Sequence, residues 1–394
     1  MSNKPFYIVK RSDRLTNGKP TYYVRFRDEA GNLLPWRSTG ETAKVRAELW
    51  ALEQFKQGNE RKKPSFTFGQ YAENWWIWEK CDYIQRKIAR GRHMSHGYAD
   101  ARRTYLVRHI LPTFGKIQLT AVTPIMIEKW LMELKDAPRV DGKRTSPPLS
   151  PTTVNHCLTT LKIMLGEARR LEHISADPSE TIEHLHENPK GKQILTLDEM
   201  RELLDNCEID RIWRGDSRQY ALNLLAASTG MRMGEIQGLQ IQHLHIDHVS
   251  VVHSWERKYG LKEPKWNSVR TIPIPRKTSL FLTAVVESSG YRDSEDLVFA
   301  GRNARRPIGD TSILSAFYHA LSAIGIGEEE RAQRNVTFHS WRHLFNSLFR
   351  SKIPDYKLQL LTGHRVPEMT EHYTHTTLED FADVANLQEQ FIGK

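Results

Sequence analysis

Two arginines, two histidines and a tyrosine lie in short sequence motifs that follow one another toward the C-terminal end of this 394-residue chain. Arg232 lies in a Thr-Gly-Met-Arg-Met-Gly-Glu segment, and His339 and Arg342 form a His-x-x-Arg pair. His364 ends a Leu-x-Gly-His segment and precedes Tyr373 by nine residues. Guanidinium groups match phosphate oxygens two at a time, and a tyrosine can act as a covalent nucleophile when neighbouring groups ease its deprotonation. Each residue alone has an ordinary structural explanation, but the ordered set predicts a site that handles a phosphodiester.

This set resembles the tyrosine recombinase family, also called phage integrases, over residues 196–376 and more weakly before them. Members of that family place the first arginine in a Thr-Gly-x-Arg-x-x-Glu turn, then a His-x-x-Arg box, then Leu-x-Gly-His and a tyrosine. The resemblance implies that Tyr373 attacks the scissile phosphate and forms a 3′-phosphotyrosyl link, assisted in proton transfer by His339. The phosphate ligands that it implies are Arg232, Arg342 and His364. We interpret Glu235 as a structural residue that orients the turn carrying Arg232.

The family also uses a lysine, on a β-hairpin between the first two boxes, to protonate the leaving 5′-oxygen. The segment from Lys262 to Ile274 occupies that place. Lys265 has the family's spacing, five residues before the basic Arg270, which opens a strand ending at Pro273. Lys265 is therefore the expected general acid, and Lys262 is the alternative.

Two groups of histidines raise the question of a metal site. His243, His245 and His248 form one group, and His339 and His343 lie one helical turn apart in the other. Neither group has the His-Glu-x-x-His spacing or a thiolate. We therefore expect no metal and no cofactor, because the arginines would supply the positive charge that Mg²⁺ supplies in many phosphoryl-transfer enzymes.

The net charge of +10 is unevenly distributed. Residues 1–63 carry a surplus of seven positive charges and residues 64–190 a surplus of four, whereas residues 191–394 carry one more acidic than basic residue. A basic front half fits a chain that grips the phosphate backbone of double-stranded DNA. Solubilising surface charge is the simpler alternative.

Three dispersed cysteines, Cys81, Cys157 and Cys207, argue against a disulfide scaffold or a zinc site and favour a reducing compartment. The N-terminus has no apolar signal core, and no apolar run approaches the roughly 20 residues that a membrane span needs. We expect a cytoplasmic protein without a membrane partner, encoded by a bacterium or phage and acting on the nucleoid.

The predicted fold class is α+β with three domains. Residues 1–62 predict three short strands and a helix, which resembles an arm-type DNA-binding domain. Alternation along the strand at residues 22–27 places Arg25 and Arg27 on one basic face. We expect this face to contact DNA, and contact with the next domain is the alternative. The helix at residues 42–57 is predicted to bury a stripe made of Val45, Leu49, Leu52 and Phe55.

Residues 65–185 predict a helical core-binding domain that clamps the duplex. A basic helix at residues 98–108 and a polar helix start at residues 150–156 are its candidate DNA faces. The DNA-contacting residues expected there are Arg92, Arg102, Arg103, Thr153 and Asn155. Ion pairing on a solvated face is the alternative explanation for the basic helix.

Residues 190–394 predict a mainly helical catalytic domain with a small β-sheet. Thr196 and Glu199 form a capping box at its start. Its C-terminal tail carries an amphipathic helix with apolar residues at Leu378, Phe381, Val384, Leu387 and Phe391. This helix packs either on its own domain or, as the resemblance favours, on a neighbouring protomer in a homotetramer.

The resemblance therefore implies a site-specific recombinase that integrates or excises a mobile element or prophage. The basic N-terminal sheet indicates two kinds of DNA site, core and arm, and an accessory directionality or bending factor is a possible further partner. A type IB topoisomerase-like strand-relaxing enzyme and a non-catalytic DNA-binding regulator are the alternatives. Because all of the signature residues are present, the hypothesis of a regulator that has lost its catalytic residues is less favoured.

Overall fold

The computed structural model describes residues 5–27, 33–56, 66–136, 138–141, 144–187, 193–264, 268–363 and 378–392. The chain divides into two compact units, Met1–Asn188 and Pro189–Lys394. The described residues of the first unit form two hydrophobic clusters, one in the N-terminal segment and one in the helices that follow, and the second unit has its own cluster. The predicted α+β class with a small three-stranded N-terminal sheet is confirmed.

The N-terminal segment is an antiparallel sheet with one helix. Its strands are β1 (Phe6–Thr16), β2 (Lys19–Phe26) and β3 (Arg37–Ser38), in that order, followed by α1 (Lys44–Lys56). The turn between β1 and β2 needs positive φ at both central residues, which Asn17 (50°) and Gly18 (74°) supply. Val24 and Phe26 are fully buried on the side of the sheet that packs on α1.

The predicted buried stripe of α1 is wrong. Its four residues are 38–68% exposed: Val45, Leu49, Leu52 and Phe55. The helix instead rests on Ala47 and Ala51, which are fully buried, while Trp50 packs against the same cluster and lies 5.4 Å from the Arg37 guanidinium. The small alanine side chains let the helix approach the sheet closely, and periodicity alone could not choose between the two apolar sides of this helix.

The rest of the first unit is helical apart from one short hairpin. Its elements are α2 (Phe68–Tyr71), α3 (Asp82–Ala89), α4 (His96–Tyr105), a π-helical turn (Leu106–Ile110), α5 (Leu111–Phe114), a 3-10 turn (Leu119–Ala121), α6 (Pro124–Asp136), β4 (Arg139–Asp141), β5 (Arg144–Ser146) and α7 (Pro151–Arg170). Helix α7 begins as predicted, with Pro151 in its first turn and the Ser150 hydroxyl accepting from the Thr153 amide. It is the longest described helix and supplies ten of the unit's buried residues.

A buried carboxylate ties α7 to α3. Glu167 is 7% exposed and accepts hydrogen bonds from Arg86 and, at 2.6 and 2.9 Å, from Arg170. Burial alone would raise the pKa of this carboxyl group, but the hydrogen bonds from the two arginines outweigh burial and hold the pKa at about 2. Glu167 is therefore charged at neutral pH, and its charge is matched.

Glu167→Gln should lower the free energy of unfolding by about 1–3 kcal/mol at neutral pH, because Arg86 loses its charged partner inside the helical cluster. A lowered folded-state pKa stabilises the fold above the unfolded value, so the difference from the wild type should shrink as pH falls from about 4.5 towards about 2. Urea denaturation across that range measures both effects. The control is Glu180→Gln, which removes an exposed ion pair with Arg169 and should cost less than about 1 kcal/mol. Equal losses from the two variants would contradict this assignment.

The second unit is mainly helical with three two-stranded antiparallel sheets, β6–β9, β7–β8 and β10–β11. Its helices are α8 (Leu197–Leu203), α9 (Ile209–Trp213), α10 (Ser217–Thr229), α11 (Met233–Gln237), α12 (Arg276–Ser288), α13 (Asp310–Ala323), α14 (Glu328–Arg334), α15 (Ser340–Phe349), α16 (Asp355–Thr362) and α17 (Ala382–Ile392), with 3-10 turns at Asn206–Glu208, Ile241–His243 and Glu379–Phe381. Its strands are β6 (His248–Val251), β7 (Ser254–Glu256), β8 (Gly260–Lys262), β9 (Arg270–Pro273), β10 (Ala300–Asn303) and β11 (Arg306–Pro307). The predicted capping box of α8 is present, with Thr196 and Glu199 exchanging both hydrogen bonds.

The tail helix α17 packs on the second unit of its own chain, and docking on a neighbouring protomer stays a prediction. Phe381, Val384 and Ile392 are buried in the domain's cluster, and the Phe391 ring lies 5.9 Å from the Phe349 ring. The apolar surface that the tail needs is thus available within the same chain. In the described part of the chain, no helix is both long and apolar enough to cross a membrane.

Candidate active site

A tight turn at the end of α10 delivers Arg232. Gly230 ends the helix in the left-handed conformation, at φ 63°, and a Cβ there would lie 2.8 Å from the Phe345 ring. Both the backbone conformation and the close contact therefore require glycine. The Thr229 hydroxyl, 2.6 Å from the Leu225 carbonyl, also accepts from the Met231 amide at 3.3 Å. The Thr-Gly pair thus fixes the direction in which the chain leaves α10.

Glu235 holds Arg232 in place from one turn along α11. Its carboxylate is 1% exposed and accepts from the Arg232 backbone amide at 2.9 Å and from its guanidinium at 2.8 Å. The same carboxylate accepts from Arg270 at 2.8 and 3.3 Å. Burial opposes ionisation, but Arg270 and then Arg232 lower the pKa of Glu235 below its usual value. These contacts agree with the structural role expected for Glu235.

Arg270 is a site residue that the sequence did not single out. Its side chain is 7% exposed, and besides Glu235 it donates to the Leu361 carbonyl at 2.6 Å. It therefore links β9 both to α11 and to the end of α16. The sequence signal was a basic residue opening a strand, which had served only as a spacing marker for Lys265.

Arg342 is held by backbone carbonyls. It is 2% exposed in the first turn of α15 and donates to the Gly230 carbonyl at 2.9 Å and to the Thr362 carbonyl. Both carbonyls lie at helix C-termini, where they have no intrahelical partner. Burial, and after it the positive charge of Arg232, lowers the pKa of Arg342 to about 9.

The described part of the site has unbalanced charge. The guanidinium groups of Arg232 and Arg270 pair with the carboxylate of Glu235, whereas burial, and after it the positive charges of Arg232 and Arg270, lowers the pKa of Arg342. Positive charges that are buried together are stabilised by an anion. The arrangement therefore favours binding of a doubly negative or strongly polarised group such as a phosphodiester in its transition state.

His339 precedes α15 and is exposed at the edge of this site, with its ring 4.8 Å from that of His343. Three further predicted residues, Lys265, His364 and Tyr373, lie outside the described residues. The alternative lysine, Lys262, is described: its ammonium group pairs with Glu256 across the β7–β8 hairpin. Among the described residues, no group of three or more histidine, cysteine or carboxylate side chains could hold a metal ion.

Residues 193–379 match the family model described as the phage integrase family. This segment belongs to the phage integrase family of tyrosine recombinases. It is 23% identical over 357 residues to a putative prophage phiRv2 integrase of Mycobacterium tuberculosis, which covers 85% of this chain and 80% of the relative. It is 25% identical over 243 residues to the tyrosine recombinase XerD of Oceanobacillus iheyensis, covering 60% of this chain and 75% of the relative. As a member of this family, the chain is a site-specific DNA recombinase.

Solved integrase structures share its fold. The Tn1549 transposon integrase in complex with transposon right end DNA matches with a TM-score of 0.60 at 20% identity, over 84% of this chain and 100% of that one. A lambda integrase tetramer bound to a Holliday junction matches with a TM-score of 0.55 at 16% identity, over 95% of this chain and 98% of that one. The second match includes the N-terminal sheet region.

Two predicted DNA contacts in the helical part of the first unit are wrong. Arg102 is 9% exposed, and it donates to the His156 carbonyl at 2.8 Å and to the Thr160 hydroxyl at 3.0 Å. Asn155 is 6% exposed and bonds both backbone polar groups of Leu185, at 2.8 and 2.9 Å. Both side chains hold α7 to its neighbours, so their polar groups are used inside the unit.

The other predicted contacts are placed differently. Arg103 donates to three carbonyls around the end of α2, at 3.0–3.2 Å, which makes it mainly structural. Arg92 is exposed on the loop before α4, and Thr153 is half-buried in the first turn of α7. Arg25 and Arg27 lie on the side of the sheet away from α1, over the rings of Trp36 and Tyr7 respectively. These last four residues remain candidate DNA contacts.

Glu235→Gln should slow DNA strand cleavage roughly ten- to a hundredfold while leaving DNA affinity nearly unchanged, because Arg232 loses the charge that orients it and misplacement of a catalytic group is costly. Single-turnover cleavage and a gel-shift titration measure the two quantities. Glu256→Gln is the matched control, because it removes a carboxylate from the β7–β8 hairpin, which also carries basic residues, and not from the site. This variant should cleave DNA at the wild-type rate. Wild-type cleavage by Glu235→Gln would show that this ion pair does not orient Arg232.

Proposed function

We propose that this recombinase cuts and rejoins DNA through a 3′-phosphotyrosyl intermediate and integrates or excises a prophage or other mobile element. The observation that carries the proposal is that buried Arg342 bonds to the Gly230 carbonyl, two residues before Arg232, so that both arginines belong to one site with Glu235 and Arg270. The prophage integrase relative and the transposon integrase structure support the type of element. Double-stranded DNA is accordingly the proposed substrate.

In the proposed reaction the Tyr373 phenolic oxygen bonds to phosphorus while the bond from phosphorus to the 5′-oxygen breaks. Arg232, Arg342 and His364 bind the non-bridging oxygens as these gain charge, and each such contact is worth about 3 kcal/mol in comparable sites. His339 assists removal of the phenolic proton. Because the covalent link conserves the energy of the phosphodiester, attack by another 5′-hydroxyl rejoins the strand without ATP. The arginines supply the charge, so we expect cleavage without a divalent metal ion.

Lys265 is the proposed acid that protonates the leaving 5′-oxygen. The described neighbourhood supports it over Lys262, whose ammonium group is engaged by Glu256 within the β7–β8 hairpin. Lys265 lies between the end of that hairpin and Arg270, which is fixed to Glu235 in the site. The chain is therefore anchored next to Arg232 at Arg270, five residues after Lys265 in sequence.

The N-terminal sheet is the proposed reader of a second, arm-type DNA site. Its face away from α1 alternates aromatic and basic side chains, including Tyr7 beside Arg27 and Trp36 beside Arg25. Such a face suits contacts with both the phosphate backbone and the bases. The lambda integrase structure, a tetramer on a Holliday junction, supports a homotetramer on DNA with the possible help of an accessory directionality or bending factor.

Tyr373→Phe should abolish covalent capture of DNA but spare DNA binding, because only the nucleophilic oxygen is lost. The substrate is a pool of nicked duplexes with a randomised core, from which covalent complexes are recovered under denaturing conditions and sequenced. Capture should persist in excess EDTA. Tyr356→Phe, a change of a tyrosine in α16, is the control and should still be captured. Capture of Tyr373→Phe at the wild-type level would refute the role of Tyr373.

Replacing Arg25 and Arg27 together by alanine should leave cleavage of a short core duplex intact but abolish recombination between full sites. Each lost phosphate contact should also reduce the salt dependence of arm-site binding by about 0.9 in the logarithmic slope. Recombination assays and titrations at several salt concentrations test this. Arg46→Ala is the control, because Arg46 is exposed on α1. If the double variant recombines full sites as well as Arg46→Ala does, the sheet is not an arm-site reader.

A further inference from the structure

One side chain of the tail helix reaches into the catalytic domain's interior. Gln388 of α17 is fully buried, and its amide nitrogen lies 2.8 Å from the Ser228 carbonyl and 2.8 Å from the Pro273 carbonyl. A single amide group thus donates to two segments that are 45 residues apart in sequence. The two donated hydrogens of a glutamine amide are both used.

The two accepting carbonyls belong to the chain segments that carry the site. Ser228 lies in the last turn of α10, four residues before Arg232, and its carbonyl is one of those left without an intrahelical partner where the helix ends at Gly230. Pro273 ends β9, three residues after Arg270. Gln388 therefore joins the chain that leads into Arg232 to the chain that leaves Arg270.

The orientation of this amide is determined by its surroundings. The Oε1 atom of Gln388 is buried and has no hydrogen-bond partner among the described residues. Rotating the amide by half a turn would place this oxygen against two carbonyl oxygens, which is worse. The two donated hydrogen bonds therefore stabilise the observed orientation, although the Oε1 acceptor has no partner among the described residues.

Other contacts are sufficient to hold the tail in place. Phe381, Val384 and Ile392 bury apolar surface in the domain's cluster, and Lys357 pairs with Asp383 at 3.0 Å. Removal of the Gln388 amide should therefore leave α17 docked. Docking of the tail and the connection that Gln388 makes are separable by mutation.

We propose that Gln388 is a positioning residue that fixes Arg232 relative to the β9 strand that carries Arg270. The proposal rests on the proposed function of the Arg232–Arg342 site. Gln388 itself does not contact the DNA; it acts on the site only through the Ser228 and Pro273 carbonyls.

Gln388→Met tests this, since methionine has nearly the same size and no donor. The substrate is the DNA duplex identified by covalent capture. Its single-turnover cleavage rate should fall roughly ten- to a hundredfold in Gln388→Met, whereas the dissociation constant for this DNA should change less than about twofold. Hydrogen exchange should stay slow in residues 382–392 but become faster in residues 229–232 and 270–274. Gln390→Met, on the exposed side of the same helix, is the matched control and should behave as the wild type.

Gln388→Glu adds a readout that loss of packing would not produce. A carboxylate facing two carbonyls is disfavoured, so its pKa should rise, and its protonated form restores one donor. The cleavage rate of Gln388→Glu relative to wild type should therefore increase as pH is lowered, while that of Gln388→Met should not. A flat ratio for both variants would contradict the proposal.

Two further results would overturn the positioning role. One is wild-type cleavage by Gln388→Met; the other is fast exchange throughout residues 382–392 in that variant, which would make Gln388 an anchor of the tail. The exchange measurement does not depend on cleavage. If the wild-type protein captures no DNA, the proposed recombinase mechanism is contradicted. Hydrogen exchange of residues 229–232 and 270–274 in Gln388→Met would still show whether Gln388 positions these two segments.

Discussion

The site depends on one buried carboxylate. Glu235 accepts hydrogen bonds from Arg232 on its own turn and from Arg270 on a strand 35 residues later, and it is 1% exposed. Without it, the guanidinium groups of Arg232 and Arg270 would lie close together with no counter-charge among the described residues. With it, α11 and β9 are joined at the point where the phosphate is proposed to bind, and Arg232, Arg270 and Arg342 together keep a net charge of +2 for a ligand. The same contact thus provides both order and unbalanced charge.

Helix ends supply the second constraint. Glycines at 230 and 363 end α10 and α16 in the left-handed conformation, so that carbonyls from the two helix ends accept hydrogen bonds from Arg342. Both positions require glycine because a Cβ would lie 2.8 Å from a neighbouring atom. That atom belongs to the Phe345 ring at position 230 and is the Ser268 hydroxyl oxygen at position 363. The partial negative charge of these helix ends offsets part of the cost of burying a guanidinium group. The arginine is therefore fixed by the backbone geometry of two helices.

Local and ordered patterns were read correctly from the sequence. The capping box of Thr196 and Glu199 and the structural role of Glu235 beside Arg232 each follow from contacts within a few residues. The sequence alone did not determine which of two similar faces of a helix is buried. Arg102 and Asn155 have the composition of a DNA face, but whether their polar groups point outward depends on α7 and on Leu185, distant in sequence. The apolar stripe of α1 and the seat of α17 likewise depend on which surface lies opposite, and periodicity does not encode that surface.

The way Arg342 is held has a consequence for sequence drift. Its acceptors are main-chain oxygens at positions 230 and 362, and every amino acid carries such an oxygen. Substitution of a neighbouring side chain cannot delete them, so no compensating second change is required when the surroundings diverge. Only residues that set the backbone path, such as the glycine at 230, are restricted. A site built in this way tolerates wide divergence of the side chains around it.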